Sequence, residues 1–412
     1  MKNPFYSKDG FGVSESLVKE SESIYIHELF DTITEEVNRI ISSFMGKREF
    51  FKSISILGGE SGTALLYAQL YLITGDKIYL KKLREILDFL INNINTSTDR
   101  NTVSPFFSSG LAGFGWLLCY MNDNKVLKIP EAFFTQIDKV LLSFVEQLQN
   151  IPWDILHGRL SISRYFMRRN LPEQVETSLR YLENIGRTVG DQILWEAENE
   201  NYIKDFGKHY DCGYAHGMAG ILYFVSKAYK HDISRKLCLK LANGIINFYA
   251  HNEQDVNLYG CYYPYRVLAG EKEAENNTFS RLAWCYGDLT VLYSLYYYYY
   301  TIDDAAQMSI VLNKLKKTVN RTDCEQNGVN DSMICHGSAG IAHIYNRLFY
   351  MTDIIEFKKA SLYWLNVTAN LELKQEGNRC FGLLEGTLGV GLVILSFFDS
   401  SHMDWDEVIM LA

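Results

Sequence analysis

Two kinds of apolar pattern alternate along the chain. In residues 77–94 the apolar side chains fall at Tyr79, Leu80, Leu83, Ile86, Leu87, Leu90, Ile91 and Ile94, with lysine and glutamate opposite. That is the 3.6-residue period of a helix with one buried and one wet face. Other segments are apolar around most of their circumference, as in a helix covered on several sides. Thr63-Ala-Leu-Leu-Tyr-Ala-Gln-Leu-Tyr71 and Ile341-Ala-His-Ile-Tyr-Asn-Arg-Leu-Phe-Tyr350 are two of these.

The enclosed segments open on a recurring signal. Gly-x-x-Gly begins at Gly59, Gly110, Gly217, Gly337 and Gly386, and two weaker copies read Gly158-Arg-Leu-Ser161 and Gly287-Asp-Leu-Thr290. First glycines are separated by 51, 48, 59, 70, 50 and 49 residues, giving seven copies at a period near fifty. Each copy reads as a helical hairpin, one inner helix entered through the glycines and one outer helix with a wet face. Kelch blades share this period but need four short strands, which the helical patterning excludes. An open solenoid would carry one polar binding face through all repeats. The uniformly apolar inner helices favour closure instead. The expectation is therefore an all-α fold, an α/α toroid of seven inner and seven outer helices forming a single domain over residues 1–412. In that ring the glycines let the chain turn tightly and let inner helices approach closely.

Composition narrows the function classes. The 412 residues are 47% hydrophobic and 22% charged, with 40 basic against 49 acidic side chains and a net charge of −9. A phosphate-binding surface is not indicated, so nucleic acid is not an expected partner. The start, MKNPFYSKDG, has no apolar signal region, and the apolar stretch from Thr387 to Phe398 is too short to span a bilayer. The expected location is cytoplasmic. Only six prolines occur, none after Pro264, which suits long helices. The tyrosines from Tyr296 to Tyr300, with Tyr293, read as helix packing rather than a binding stack.

Aligning the copies on the first glycine gathers the chemistry. The preceding residue is Gly58, Ser109, His157, His216, Tyr286, His336 and Glu385 in order, and one position earlier stand Cys285 and Cys335. Equivalent positions of a ring face one central region, at the turn before each inner helix. Cys285, Cys335 and His336 then supply two sulfurs and one nitrogen. Such a Cys₂His set with its fourth position open is a catalytic zinc arrangement. Cys119, Cys212, Cys238, Cys261, Cys324 and Cys380 read as small buried hydrophobes. Asp154 lies four residues before its glycine and is expected to face the same cavity, and Arg281, four before Cys285, reads as the corresponding place of the fifth copy. The aim of His157 is left open by the missing second glycine of its copy, and Glu385 is given no role.

The repeats, Trp284-Cys285-Tyr286-Gly287 and Cys335-His336-Gly337, in this order and spacing, resemble the lanthionine synthetase C-like family, and within it the stand-alone lanthipeptide cyclases of the nisin cyclase type. The likeness runs from about Ser55 to Phe398. It implies an α/α toroid around one Zn²⁺ held by Cys285, Cys335 and His336, with His216 as acid/base group and Asp154, Arg281 and Tyr286 completing the catalytic set. Ser161 in the third copy and Asp288-Leu-Thr in the fifth depart from the family pattern.

The implied reaction adds peptide cysteine thiols to dehydroalanine or dehydrobutyrine, closing (methyl)lanthionine thioether rings. A free thiol has a pKa of about 8.5, and zinc binding deprotonates it. The carbanion formed beside the carbonyl is protonated by His216, oriented by Asp154, while Arg281 stabilises negative charge. The implied partners are a dehydrated precursor peptide with a leader segment, a separate dehydratase and an ABC exporter, in a complex peripheral to the membrane. No dehydratase-sized extension is expected. Four alternatives stand beside this reading. They are glutathione addition to dehydrated residues in proteins, a prenyltransferase β-subunit, a glycosidase using Asp154 and Glu385, and a non-catalytic toroid with a structural zinc.

Overall fold

A computed structural model describes residues 20–45, 53–96, 103–147, 151–197, 207–269, 278–374 and 381–412. The opening MKNPFYSKDG and Cys380 lie outside the described residues. A helix follows each of the seven glycine signals: Glu60–Thr74, Leu111–Asp123, Arg159–Arg168, Met218–Lys230, Asp288–Thr301, Ser338–Thr352 and Thr387–Phe398.

Five of these starts are built alike. The first helical amide donates to the carbonyl seven residues earlier, as in Glu60 to Ser53 (3.0 Å), Leu111 to Ser104 (2.8 Å), Arg159 to Pro152 (2.7 Å), Asp288 to Arg281 (2.9 Å) and Ser338 to Asp331 (3.1 Å). One of the orphan donors of a helix N-terminus is thereby paired. The loop that supplies this carbonyl lies against the first glycine. A Cβ at Gly110 or Gly337 would run into the carbonyl of Ser104 or Asp331. The second glycine meets the same constraint at Gly340 and Gly389, against Ile334 and Leu383. The glycines therefore mainly admit each helix's own entry loop, more than the close helix–helix approach that the spacing alone suggests. Where the second glycine is replaced, a hydroxyl bonds locally: Ser161 Oγ to Gly158 O (2.7 Å) and Thr290 Oγ1 to Ala283 O (3.2 Å).

Return helices follow at Lys77–Thr96, Glu131–Gln147, Pro172–Ile185, Arg235–His251, Ala305–Thr318 and Ile355–Lys374. In the first of them Leu83, Ile86, Leu87 and Leu90 are buried, as the 3.6-residue pattern requires. Among the described residues no α-helix follows the seventh glycine-led helix. Glu20–Met45, from before the first copy, packs on both Thr387–Phe398 and Ile355–Lys374. The N-terminal helix thus fills the last outer place.

The chain forms two compact units. One comprises residues 1–104, 109–130 and 330–412, the other 105–108 and 131–329. In the first, the 3₁₀ segment Ser400–Ile409 packs on Glu60–Thr74 and Thr387–Phe398. Asp406, fully buried there, accepts from His343 Nε2 (2.9 Å) and from Arg347 Nε (2.9 Å) and a terminal guanidinium nitrogen (2.6 Å). In the second, two antiparallel ribbons pair Arg187–Val189 with Gln192–Leu194 and His209–Asp211 with Arg266–Leu268. These ribbons occupy the two long intervals, of 59 and 70 residues, around the fourth copy.

Within each unit the glycine turns are hydrogen-bonded side by side in one register. Tyr214 and Ala215 amides donate to Cys285 O (2.7 and 3.0 Å), and Ser108 N donates to Leu156 O (3.3 Å). In the other unit Ile334 and Cys335 amides donate to Leu384 O (3.1 and 3.0 Å), and Leu383 N donates to Leu57 O (2.7 Å). The acceptor is always the residue two before a first glycine. Within a unit, residues one before the glycines of bonded turns are consequently brought alongside one another.

Candidate functional site

His157, His216 and Tyr286, the pre-glycine residues of copies three to five, form a row. The His157 and His216 rings stack with centroids 5.5 Å apart and planes at 19°. The Tyr286 ring lies 6.0 Å from His216 and stacks on Tyr265 at 5.0 Å. Gly213 makes room for it, since a Cβ there would strike the Tyr286 ring and the Cys285 carbonyl.

His216 is held through Nδ1, 2.6 Å from Asp154 Oδ2. The other Asp154 oxygen accepts the amides of Leu156 and His157, both at 2.7 Å. Burial would push this carboxyl upward, but the His216 hydrogen bond and charge, with the two amides, outweigh it and hold the pKa below the ordinary carboxylate value. The same pair acts oppositely on the imidazole. Burial pulls the His216 pKa down, while the Asp154 hydrogen bond and charge, then Asp211 and Cys285, raise it above the usual histidine value. Asp154 is thus an ionised orienting group, unsuited to donating a proton as a glycosidase acid must.

His157, unassigned from the sequence, is exposed and bonded through Nδ1 to Ser108 Oγ (2.7 Å). The loop position of Ser108 carries no sequence signal, and the partnership needs the side-by-side turns to become visible. Arg281 is placed differently from Asp154. It stands six residues before its glycine, where Asp154 stands four before, and the two positions do not correspond. Its guanidinium reaches Cys285 Sγ at 3.9 Å, a contact from within one loop.

Cys285 is buried, while Cys335 and His336 are partly exposed, and one ligand atom from each lies within 4.8 Å of the others. His336 Nε2 is 3.0 Å from Asp331 Oδ2, whose Oδ1 accepts the Met333 amide at 2.8 Å. A carboxylate on one ring nitrogen leaves the other, Nδ1, for a metal. Two sulfurs and one nitrogen this close fit zinc, whose bonds are about 2.3 Å to sulfur and about 2.0 Å to nitrogen. Among the described residues no other His, Cys, Asp or Glu group meets that test. Cys119, Cys212, Cys238 and Cys261 are buried, as expected of small hydrophobes, and Cys324 is half-buried. Burial pushes the Cys238 thiol up to about 12 and Cys261 up to about 11, which makes them poor nucleophiles.

The chain belongs to the lanthionine synthetase C-like family, whose model matches residues 50–410. Among curated proteins it is similar to the nisin biosynthesis protein NisC of Lactococcus lactis subsp. lactis, 24% identical over 384 residues, spanning 88% of this chain and 90% of that relative. Among solved structures it resembles nisin cyclase, with a TM-score of 0.72 at 19% identity, over 92% of this chain and 97% of that one. The latter likeness shows the fold, the all-α α/α toroid class expected from the repeat. No helix among the described residues is long and apolar enough to cross a membrane.

Proposed function

We propose that this protein is a zinc-dependent lanthipeptide cyclase that adds peptide cysteine thiols to dehydroalanine or dehydrobutyrine. The observation that carries the reading is the Cys285, Cys335 and His336 donor set, with ligand atoms within 4.8 Å, in a chain of this family. Similarity to the nisin biosynthesis protein supports a dehydrated precursor peptide as substrate. A separate dehydratase and an exporter are its natural companions, in a cytoplasmic complex.

Cys285, Cys335 and His336 would hold the zinc. When bound, the metal supplies a thiolate at neutral pH and leaves one coordination position for the substrate sulfur. The protein's own residues manage the proton. His216, whose pKa Asp154 raises, is the group that delivers a proton to the α-carbon after the carbon–sulfur bond forms. Asp154, with both oxygens engaged, fixes the ring's tautomer and direction. Arg281, beside Cys285 Sγ, sets positive charge against the thiolate end of the site. Tyr286 walls His216 on the side away from His157.

Ring closure changes no mass, so the test is thiol alkylation of a dehydrated precursor peptide after incubation with the zinc-loaded protein. The expected result is loss of alkylatable cysteines without mass gain. A gain of one glutathione per site when glutathione is supplied, with free cysteines retained, would instead establish the intermolecular reaction. His216→Ala should keep zinc and slow stereocontrolled closure by about 10²–10⁴-fold.

A further inference from the structure

Two imidazoles stand side by side at this site, and the cyclase reading uses only one. His216 is anchored at Nδ1 by Asp154, and His157 at Nδ1 by Ser108, whose side chain is buried. The rings are nearly parallel, with planes at 19° and centroids 5.5 Å apart, and each is anchored at Nδ1. His157 is exposed, and among the described residues its hydrogen bonds run from Nδ1 to Ser108 and from its amide to Asp154 Oδ1, with none at Nε2. One carboxylate organises both residues, through the His157 amide and the His216 ring.

The chemistry at this point needs two different services. As the thiolate sulfur bonds to the β-carbon, the electron pair of the carbon–carbon double bond moves through the α-carbon onto the carbonyl oxygen, giving an enolate. That oxygen needs a hydrogen-bond donor, and the α-carbon then needs a proton. Arg281, the candidate the sequence offers for the first service, has a guanidinium nitrogen 3.9 Å from Cys285 Sγ, at the thiolate end of the site. Resting on the cyclase reading above, we propose that His157 is a second catalytic residue, whose Nε2–H, set by a Ser108 hydroxyl donating to Nδ1, hydrogen-bonds the developing enolate oxygen while His216 protonates the α-carbon. His157 transfers no proton and keeps its own. Burial lowers its pKa, with the neighbouring His216 charge acting in the same direction and Asp154 opposing, which favours the neutral ring that this role requires.

His157→Phe preserves a stacking ring and removes the donor, while His157→Gln places an amide N–H near the position of Nε2. The proposal expects kcat for ring closure to fall about 100-fold in H157F, with KM and zinc content unchanged and much of the loss recovered in H157Q. Nitrogen-15 NMR of the wild-type protein should show His157 as the Nε2–H tautomer, and Ser108→Ala should mix the tautomers. A wild-type rate in H157F, or an Nδ1–H tautomer in the wild type, overturns the proposal while leaving the cyclase reading intact. Zinc-loaded wild-type protein that closes no ring overturns the cyclase reading and this proposal together.

Discussion

The proton affinity of His216 is set by what faces Nδ1. Burial favours the neutral ring, yet the Asp154 carboxylate at 2.6 Å reverses the balance. A donor with a raised pKa is present below that value and is lost as pH rises through it. Asp154→Asn removes the charge and should move the His216 titration, followed by NMR, to lower pH. The alkaline limb of the cyclisation rate should move down with it; an unmoved His216 pKa would contradict the assignment. Register against the repeat glycine was enough to single out His216, His336, Cys285 and Cys335 in the sequence, because the side-by-side turns bring that register together. It could not give the partner of His157, since Ser108 belongs to a neighbouring turn, nor the aim of Arg281, which depends on how its own loop folds back on Cys285.

The glycine-led helix start is the repeating element, and its physical demand is space for a carbonyl. Gly110→Ala forces a Cβ onto the Ser104 carbonyl, which also accepts the first helical amide. Both cannot be kept, and chemical denaturation should show a loss of about 1–3 kcal/mol. Alanine at Gly75, where nothing lies within 4 Å but φ is +67°, probes the other reason for glycine, backbone strain, with a loss of about 1 kcal/mol. A variant of Gly110 as stable as the wild type would show that the loop can retreat from the helix. Periodicity announced these helices and their order. The ribbons in the long intervals stayed hidden because three-residue strands leave too little alternation to read.

At the level of the whole chain, seven copies announce seven glycine-led helices, but the return helix of the seventh is supplied by Glu20–Met45, ahead of the first glycine. Nothing local to that helix says where it packs. The C-terminal segment is fixed by a different device, the buried Asp406 between His343 and Arg347. Burial alone would raise the Asp406 pKa, and the Arg347 charge with the His343 hydrogen bond lowers it below the ordinary carboxylate range. A depressed folded pKa means this stabilisation is present above the unfolded value near 4 and is lost as pH falls through the folded one. Asp406→Asn leaves three donors, from His343 and Arg347, facing a neutral amide and should destabilise the protein by about 3–5 kcal/mol at neutral pH, with the difference shrinking in acid. A pH-independent difference would mean the carboxylate charge is not what matters.

Everything proposed for the chemistry depends on Cys285, Cys335 and His336 holding one zinc ion. Metal content per chain, measured by mass spectrometry on purified wild-type protein beside Cys285→Ala, tests it most directly. The expected result is one zinc per wild-type chain and loss of that zinc in the variant, with both helical by circular dichroism. Wild-type protein that stays folded without zinc, or zinc retained undiminished in Cys285→Ala, would contradict it.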